Sequence, residues 1–162
     1  MFVTTKQMLL DAQAGHYAVG AFNVENLEFV MAVVKAAEER RSPVILQTTP
    51  GTVKYANLDY FAALVRCAAE EATVPVALHL DHGDGFDRCI QAARAGYTSV
   101  MIDGSHVPFE DNIALTASVT KFAGPINLPV EAELGKVGGK EDDGPAVEGE
   151  NPYTCLLYTS DA

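Results

Sequence analysis

The chain has 162 residues, 48% of them hydrophobic, and its 11 Lys and Arg against 22 Asp and Glu give a formal net charge of −11. A chain of this length can bury one sizeable core, so we expect a single domain. The acidic balance and the lack of a basic patch argue against a nucleic-acid-binding protein. No apolar stretch approaches the roughly 18 residues of a membrane span, and the N-terminus lacks a secretory pattern, so a cytoplasmic, soluble protein is expected.

Three cysteines, Cys67, Cys89 and Cys155, are too few and too scattered for a disulfide framework or a Cys-rich zinc site. Cys67 and Cys89 lie in segments with helical periodicity. We expect both to be small buried hydrophobic residues.

Short apolar runs alternate with segments of helical period along the chain. In chain order, helices are predicted over residues 5–14, 27–40, 58–72, 85–95 and 109–122, and strands over 17–22, 43–46, 76–80, 99–102 and 128–134. Residues 47–54 are predicted to form a turn. This unbroken alternation of strand and helix predicts a parallel sheet with right-handed crossovers.

The most informative segment, His79-Leu80-Asp81-His82-Gly83, ends the third predicted strand. Imidazoles and a carboxylate at this position suit a metal ligand beside a proton-transfer group. The structural alternative is that Asp81 and His82 cap the following helix. His79, two residues before Asp81, is predicted to be a hydrogen-bonded residue of the sheet rather than a ligand. Neighbouring strand residues point to opposite faces, so Asp81 and His82 can serve one site only if the strand frays there.

Polar residues follow every predicted strand. In chain order they are Asn23, Gln47 to Thr49, Asp81 and His82, Asp103, then Glu131 and Glu133. Functional residues gathered at one edge of a parallel sheet are typical of a (β/α)8 barrel, in which the top face carries the site. A doubly wound sheet would usually carry a glycine fingerprint after its first strand, and Gly20-Ala21-Phe22-Asn23 has none. The fold predicted is therefore an α/β (β/α)8 TIM barrel, truncated after about five strand-helix units.

Residues 135–150 interleave glycines with charged residues and contain no Gly-Lys-Ser/Thr, so they do not form a nucleotide P-loop. Two interpretations stay open for this segment. It is either a solvated connector or a mobile lid that brings a carboxylate into the mouth of a barrel.

Five ordered motifs resemble those of the class II, metal-dependent ketose-bisphosphate aldolases, over residues 1 to about 154. The turn Thr49-Pro50-Gly51-Thr52 and the acidic run Glu141-Asp142-Asp143 are most similar to the tagatose-bisphosphate aldolase branch. The five motifs are Gly20-Ala21-Phe22-Asn23-Val24, His79-Leu80-Asp81-His82-Gly83, Ser99-Val100-Met101-Ile102-Asp103-Gly104-Ser105, Val130-Glu131-Ala132-Glu133-Leu134-Gly135 and Gly138-Gly139-Lys140-Glu141-Asp142.

This resemblance implies reversible aldol cleavage of tagatose or fructose 1,6-bisphosphate to dihydroxyacetone phosphate and glyceraldehyde 3-phosphate. A divalent metal would stabilise the enediolate of dihydroxyacetone phosphate as a Lewis acid. By resemblance, His82 is one of three histidine ligands of a catalytic zinc. Asp81 would give a proton to the aldehyde oxygen in synthesis and remove it in cleavage. Glu141 matches the lid carboxylate that moves the carbon-bound proton.

The resemblance also assigns binding positions. Asn23 and Thr49 match residues that contact the dihydroxyacetone phosphate moiety. Asp103 and Glu133 match a second, non-catalytic site for a divalent or monovalent ion. The expected partner is a small sugar bisphosphate, with no nucleic acid and no membrane, and the full-length protein is expected to be a homo-oligomer.

The last eight residues, 155–162, depart from the family pattern and resemble a translated sequencing adapter. We therefore expect residues 1–154 to be the N-terminal part of one barrel domain and 155–162 to be a non-native tail. The chain alone is expected to be inactive, because the other zinc-binding histidines, the phosphate-binding loops and the last strands of the family lie beyond it.

Two other functions stay open. One is a different metal-dependent barrel enzyme, such as a hydrolase with Asp81 and His82 as paired ligands. The other is a non-catalytic fragment that binds partners through its open sheet edge.

Overall fold

The computed structural model describes residues 1–135, which form one parallel sheet flanked by helices. The strands are β1 (Gly20–Asn23), β2 (Val44–Thr48), β3 (Val76–Gly83), β4 (Ser99–Ile102) and β5 (Val130–Ala132). The helices are α1 (Thr5–Gly15), α2 (Leu27–Arg40), α3 (Pro50–Glu71), α4 (Phe86–Ala95) and α5 (Phe109–Ala123), followed by a short 3-10 turn, Gly124–Ile126.

The order of the strands in the sheet is β1-β2-β3-β4-β5, and each strand pairs in parallel with the next along the chain. A doubly wound sheet reverses its strand order at a switch point, whereas consecutive parallel neighbours build a barrel. The described residues therefore have the α/β topology of the first five strands of a TIM barrel, as the sequence predicts.

Side chains alternate between the two faces of the sheet, and the two faces have different roles. Val76, Leu78 and Leu80 of β3 are fully buried in the main core, on the side where β3 packs against α3 and α4. On the opposite, inner face, Ile45 and Ala77 pack against Met8 of α1. Burying an aliphatic side chain of this size contributes about 1.5–3 kcal/mol, and most of the buried aliphatic side chains lie in the cluster on the outer face.

The outer layer also contains a buried polar pair. Tyr97, just after α4, places its hydroxyl 2.8 Å from Thr48 Oγ1 at the end of β2. Both side chains are buried, and burial raises the pKa of Tyr97 to about 12. The pair stays neutral and joins β2 to the α4–β4 connection.

Helix α3 starts earlier than the sequence predicts, at Pro50 rather than residue 58. Thr49 caps its first turn, and Pro50 occupies a helical position at which the missing N–H costs nothing. The backbone leaves helical geometry at Ala56 and Asn57, and the Asn57 side chain then accepts a hydrogen bond from Tyr60 N. The sequence pattern therefore identified the second segment of a kinked helix and assigned the first segment to a turn.

Two further expectations are corrected by the structure. Cys67 is exposed, because it lies on the solvent face of α3, whereas Cys89 is buried as predicted. Strand β3 continues through Gly83 instead of ending at residue 80.

No helix within residues 1–135 combines the length and the apolar character needed to cross a membrane.

Candidate active site

Asp81 and His82 lie at the carboxyl end of β3, and a β-bulge between Leu80 and Gly83 places both beside polar partners. The departure from regular strand geometry that the sequence argument required takes the form of a bulge instead of a frayed end. The ladder resumes at Gly83, which pairs with Ile102, and the Gly83 carbonyl accepts a hydrogen bond from Asp103 N. His82 has a positive φ of 48°, which changes the direction of its side chain relative to a regular strand.

Gly83 is needed at the end of this bulge. A Cβ atom at Gly83 would collide with the Met101 carbonyl oxygen of β4. The close approach of β3 and β4 therefore depends on glycine, and it brings His82 next to the end of β4.

His82 forms a cluster with two carboxylates from the ends of the next two strands. Its Nδ1 atom lies 3.0 Å from Asp103 Oδ2 and 3.6 Å from Glu133 Oε2. The ligand atoms of the three residues all lie within 4.8 Å of one another, and the three side chains are partly buried. Burial alone would raise the pKa of Asp103, but hydrogen bonds from His82 and Ser105 lower it overall, so Asp103 is a carboxylate at neutral pH.

The donor set of this cluster fits a divalent cation. One imidazole nitrogen and two carboxylate oxygens are ligands that zinc and other divalent first-row metals accept in proteins. The three residues predicted as metal ligands from the sequence are thus brought together by the fold.

Asp81 takes part in a second polar group, centred on Gln47 of β2. Gln47 Nε2 donates to Asp81 Oδ2 at 2.6 Å and to Asn23 Oδ1 at 2.8 Å. One amide group thus joins the ends of β1, β2 and β3. The sequence placed Gln47 among the polar strand ends but did not predict it as a site residue, because its role depends on the pairing of three strands.

Thr49 is placed differently from the other predicted substrate contact, Asn23. It is buried as the N-cap of α3, and its hydroxyl lies 3.3 Å from Thr52 Oγ1 and accepts from Thr52 N at 3.4 Å. Thr52 in turn donates to both carboxylate oxygens of Glu25 at 2.9 and 3.0 Å. These bonds connect the β1–α2 loop to the start of α3, and sequence reasoning did not single out Glu25 or Thr52.

Below Asp81 on the same face lies a layer formed by His79, Ser99 and Glu131. His79 Nδ1 is 2.8 Å from Ser99 Oγ, which agrees with its predicted role as a hydrogen-bonded sheet residue. His79 Nε2 lies 3.4 Å from Glu131 Oε2. Burial, and then the nearby His82, lower the pKa of His79 to about 4, so its imidazole is neutral at pH 7. Desolvation, followed by the charge of Asp81, raises the pKa of Glu131.

The predicted lid residue Glu141 and the predicted tail, 155–162, lie outside the described residues. The site described here therefore consists of two polar groups at the carboxyl ends of β1 to β5. One is the group of Asn23, Gln47 and Asp81, centred on Gln47, and the other is the candidate metal cluster of His82, Asp103 and Glu133. A parallel sheet of consecutive strands with polar side chains on its strand ends is the arrangement in which TIM-barrel proteins carry their site at the top face.

Comparison with known proteins gives the family. The sequence profile described as "Fructose-bisphosphate aldolase class-II" matches residues 3–161. The chain belongs to the class II fructose-bisphosphate aldolase family.

Two curated relatives illustrate the similarity. A "6-phospho-5-dehydro-2-deoxy-D-gluconate aldolase" of Halalkalibacterium halodurans is 52% identical over 143 residues, which cover 86% of this chain and 50% of that protein. A "probable fructose-bisphosphate aldolase" of Bacillus subtilis is 51% identical over 144 residues, or 87% of this chain and 50% of that protein. The chain thus spans about half the length of the curated relatives that it matches.

Solved structures agree with the fold. The YdjI aldolase of Escherichia coli K12 is 41% identical, with a TM-score of 0.80 over 83% of this chain and 51% of that one. A putative fructose-1,6-bisphosphate aldolase of Coccidioides immitis is 32% identical, also with a TM-score of 0.80, over 87% of this chain and 50% of that one.

Proposed function

We propose that the protein to which this chain belongs is a metal-dependent aldolase that reversibly cleaves a ketose 1,6-bisphosphate, tagatose or fructose, into dihydroxyacetone phosphate and glyceraldehyde 3-phosphate. The observation that carries this proposal is the cluster of His82, Asp103 and Glu133 beside Asp81 at the strand ends. Family membership supports the aldol reaction over a metal-dependent hydrolase.

In this proposal a zinc ion, held in part by His82, acts when bound as a Lewis acid toward the oxygens of dihydroxyacetone phosphate. The carboxylates of Asp103 and Glu133 have the donor chemistry for a second divalent or monovalent ion next to it. Because Asp103 keeps a lowered pKa, it competes poorly for protons and stays available as an anionic ligand at neutral pH.

Asp81 is the proposed proton-transfer residue at the oxygen that becomes the aldehyde. The hydrogen bond from Gln47 Nε2 to Asp81 Oδ2 orients this carboxylate. Asp81 would accept the hydroxyl proton in cleavage and return it in synthesis. Glu141 is proposed to move the carbon-bound proton, and Asn23 and Thr49 are proposed to contact the dihydroxyacetone phosphate moiety.

The test uses a chimera in which residues 1–135 of this chain replace the corresponding half of the Bacillus subtilis relative, which completes the barrel. We expect chelator-sensitive cleavage of fructose or tagatose 1,6-bisphosphate. Asp81→Ala should lower kcat by about 10²-fold or more, the usual contribution of a general acid-base group. Asp84→Ala is the matched control, because Asp84 is 56% exposed and pairs with Arg88 at 3.2 Å instead of facing the site.

Cleavage that continues in excess chelator would refute the metal mechanism. Assays with both bisphosphates and with 6-phospho-5-dehydro-2-deoxy-D-gluconate, the substrate class in the name of one relative, compare the three candidate substrates. If none of the three is cleaved by a folded, metal-loaded chimera, the proposed activity is wrong. A non-catalytic fragment that binds partners would then be the better interpretation.

The proposal has four further parts. They are a cytoplasmic location, a homo-oligomeric whole protein, residues 1–154 as the N-terminal part of one barrel domain, and a non-native tail over 155–162. Sequencing the locus past Thr154 tests the last two, since a genomic sequence that encodes the tail as given would remove the reason to call it foreign. Sedimentation of the whole protein tests the oligomer.

A further inference from the structure

Asn112 is a buried amide on α5, the helix that connects β4 to β5, and it lies between the two strand ends that carry Asp103 and Glu133. Its side chain is only 6% exposed. Its Nδ2 atom donates to the Glu133 carbonyl oxygen at 2.8 Å. Thr116, one turn later on α5, donates to Asn112 Oδ1 at 3.3 Å and orients the amide.

The other side of the same amide meets the end of β4. Gly104 follows Asp103 directly, and a Cβ atom at Gly104 would collide with the Asn112 side chain. Glycine is therefore required for the Asp103–Gly104 turn to approach the amide this closely. The Asn112 amide thus fits tightly against both carboxylate-bearing segments.

The position of Glu133 explains why such a support matters. The ladder between β4 and β5 ends at the pair Ile102 and Ala132, so Glu133 lies one residue beyond the last sheet pairing. Its backbone is held at that point by the bond from Asn112. A carboxylate that leaves from an unsupported strand end would sample more positions and bind a cation less tightly.

We propose that Asn112 is a positioning residue: it sets the separation of Asp103 and Glu133, and so the affinity of these two carboxylates for a divalent cation. This inference rests on the proposed metal-dependent function. Asn112 touches neither the substrate nor the cation in this role. It acts through the backbone of Glu133 and through contact with Gly104.

The first measurement is the affinity of the chimera for Zn²⁺ and Mn²⁺, obtained by competition with a chromophoric chelator. Asn112→Leu keeps the volume of the side chain and removes the donor. We expect it to weaken binding at the cluster by about tenfold, the lower end of the range for residues that support metal ligands. The matched control is Val119→Ala, a fully buried residue of the same helix that packs in the core. It should destabilise α5 and change the metal affinity by less than about twofold, since it does not hold a ligand.

A double-mutant cycle separates positioning from a general effect on folding. Glu133→Gln removes one of the two ligand charges through which Asn112 is proposed to act. In that background Asn112→Leu should lower metal affinity by a clearly smaller factor, since only the contact with Gly104 beside Asp103 remains, while its effect on the urea midpoint should be unchanged. A merely structural role would give the same loss of affinity in both backgrounds.

A second variant covers the case in which Asn112→Leu does not fold. Gly104→Ala keeps the Asn112 side chain but pushes it away from the Asp103–Gly104 turn, so this substitution should also weaken metal binding. The loss of affinity should not add to the loss caused by Asn112→Leu. Unchanged affinity in either folded variant would overturn the inference, as would an equal loss in Val119→Ala.

The two proposals fail separately. If Glu133→Gln itself leaves metal affinity unchanged while chelator-sensitive cleavage persists, the positioning inference is wrong and the aldolase proposal stands. If the unsubstituted chimera is folded and binds no divalent cation, both are wrong.

Discussion

Replacement of Gln47 by leucine should impair catalysis without removing the metal. The Gln47 amide donates to Asp81 at 2.6 Å and to Asn23 at 2.8 Å, and leucine of similar size can make neither bond. A hydrogen bond to a charged group contributes about 1.5–3 kcal/mol, and each 1.4 kcal/mol corresponds to a tenfold change in rate. If the bond to Asp81 is fully used in the transition state, kcat should therefore fall by about 10- to 100-fold.

The assay is steady-state cleavage of fructose 1,6-bisphosphate by the chimera, with bound metal measured in the same preparations. Gln91→Leu makes the same substitution at an exposed position of α4 and should leave kcat unchanged. A Gln47→Leu protein with full kcat would refute the assigned role of the amide. A fall in kcat matched by an equal loss of bound metal would show that Gln47 acts through the cluster instead of through Asp81.

Three further outcomes follow from the same contacts. Folding lowers the pKa of His79 from 6.5 to about 4, so between pH 6.5 and about 4 the unfolded chain binds a proton that the folded protein does not. The free energy of unfolding of the chimera should therefore decrease as the pH falls through this range. His79→Gln should flatten this dependence in urea titrations, by about 3 kcal/mol at most. Tyr97→Phe leaves the buried Thr48 hydroxyl without its partner and should lower the free energy of unfolding by about 1–2 kcal/mol, with kcat unchanged. The 162-residue chain alone should aggregate and show no nanomolar zinc binding, because β1 and β5 each have a single strand neighbour within residues 1–135 and the cluster supplies one imidazole. A cooperative melt of a monomer, or tight zinc binding abolished by His82→Ala, would refute that expectation.

The order and direction of the strands were predictable from the sequence because they depend on local patterns. Each apolar run is short enough to be a buried strand, and each intervening segment repeats with helical period. The strand-end location of Asp81, His82, Asp103 and Glu133 then follows from the parallel arrangement. The fold brings His82, Asp103 and Glu133 into one cluster, whereas the resemblance had assigned His82 to a catalytic zinc and the two carboxylates to a second ion.

The features that were not predictable depend on contacts between elements. The bulge at His82 forms where Gly83 meets a carbonyl of β4, and no local pattern marks it. The first turn of α3 contains Pro50 and Gly51, residues that usually signal a turn, and it is stabilised by the cap at Thr49. The exposure of Cys67 depends on which face of α3 meets the sheet.

The alternation of side chains along β3 bears on how a sequence of this kind can diverge. Leu78 and Leu80 pack in the main core on the outer face of the sheet. His79 and Asp81, the residues that alternate with them, point to the opposite face, which carries the site. Substitutions on the site face leave the core leucines unchanged, so point substitutions can alter the site while the packing of the sheet is kept. A single-residue insertion or deletion in β3 would exchange the two sets at once. The bulge at His82 gives β3 one residue more than β4 between two paired positions, and because it follows the core leucines it leaves their alternation unchanged.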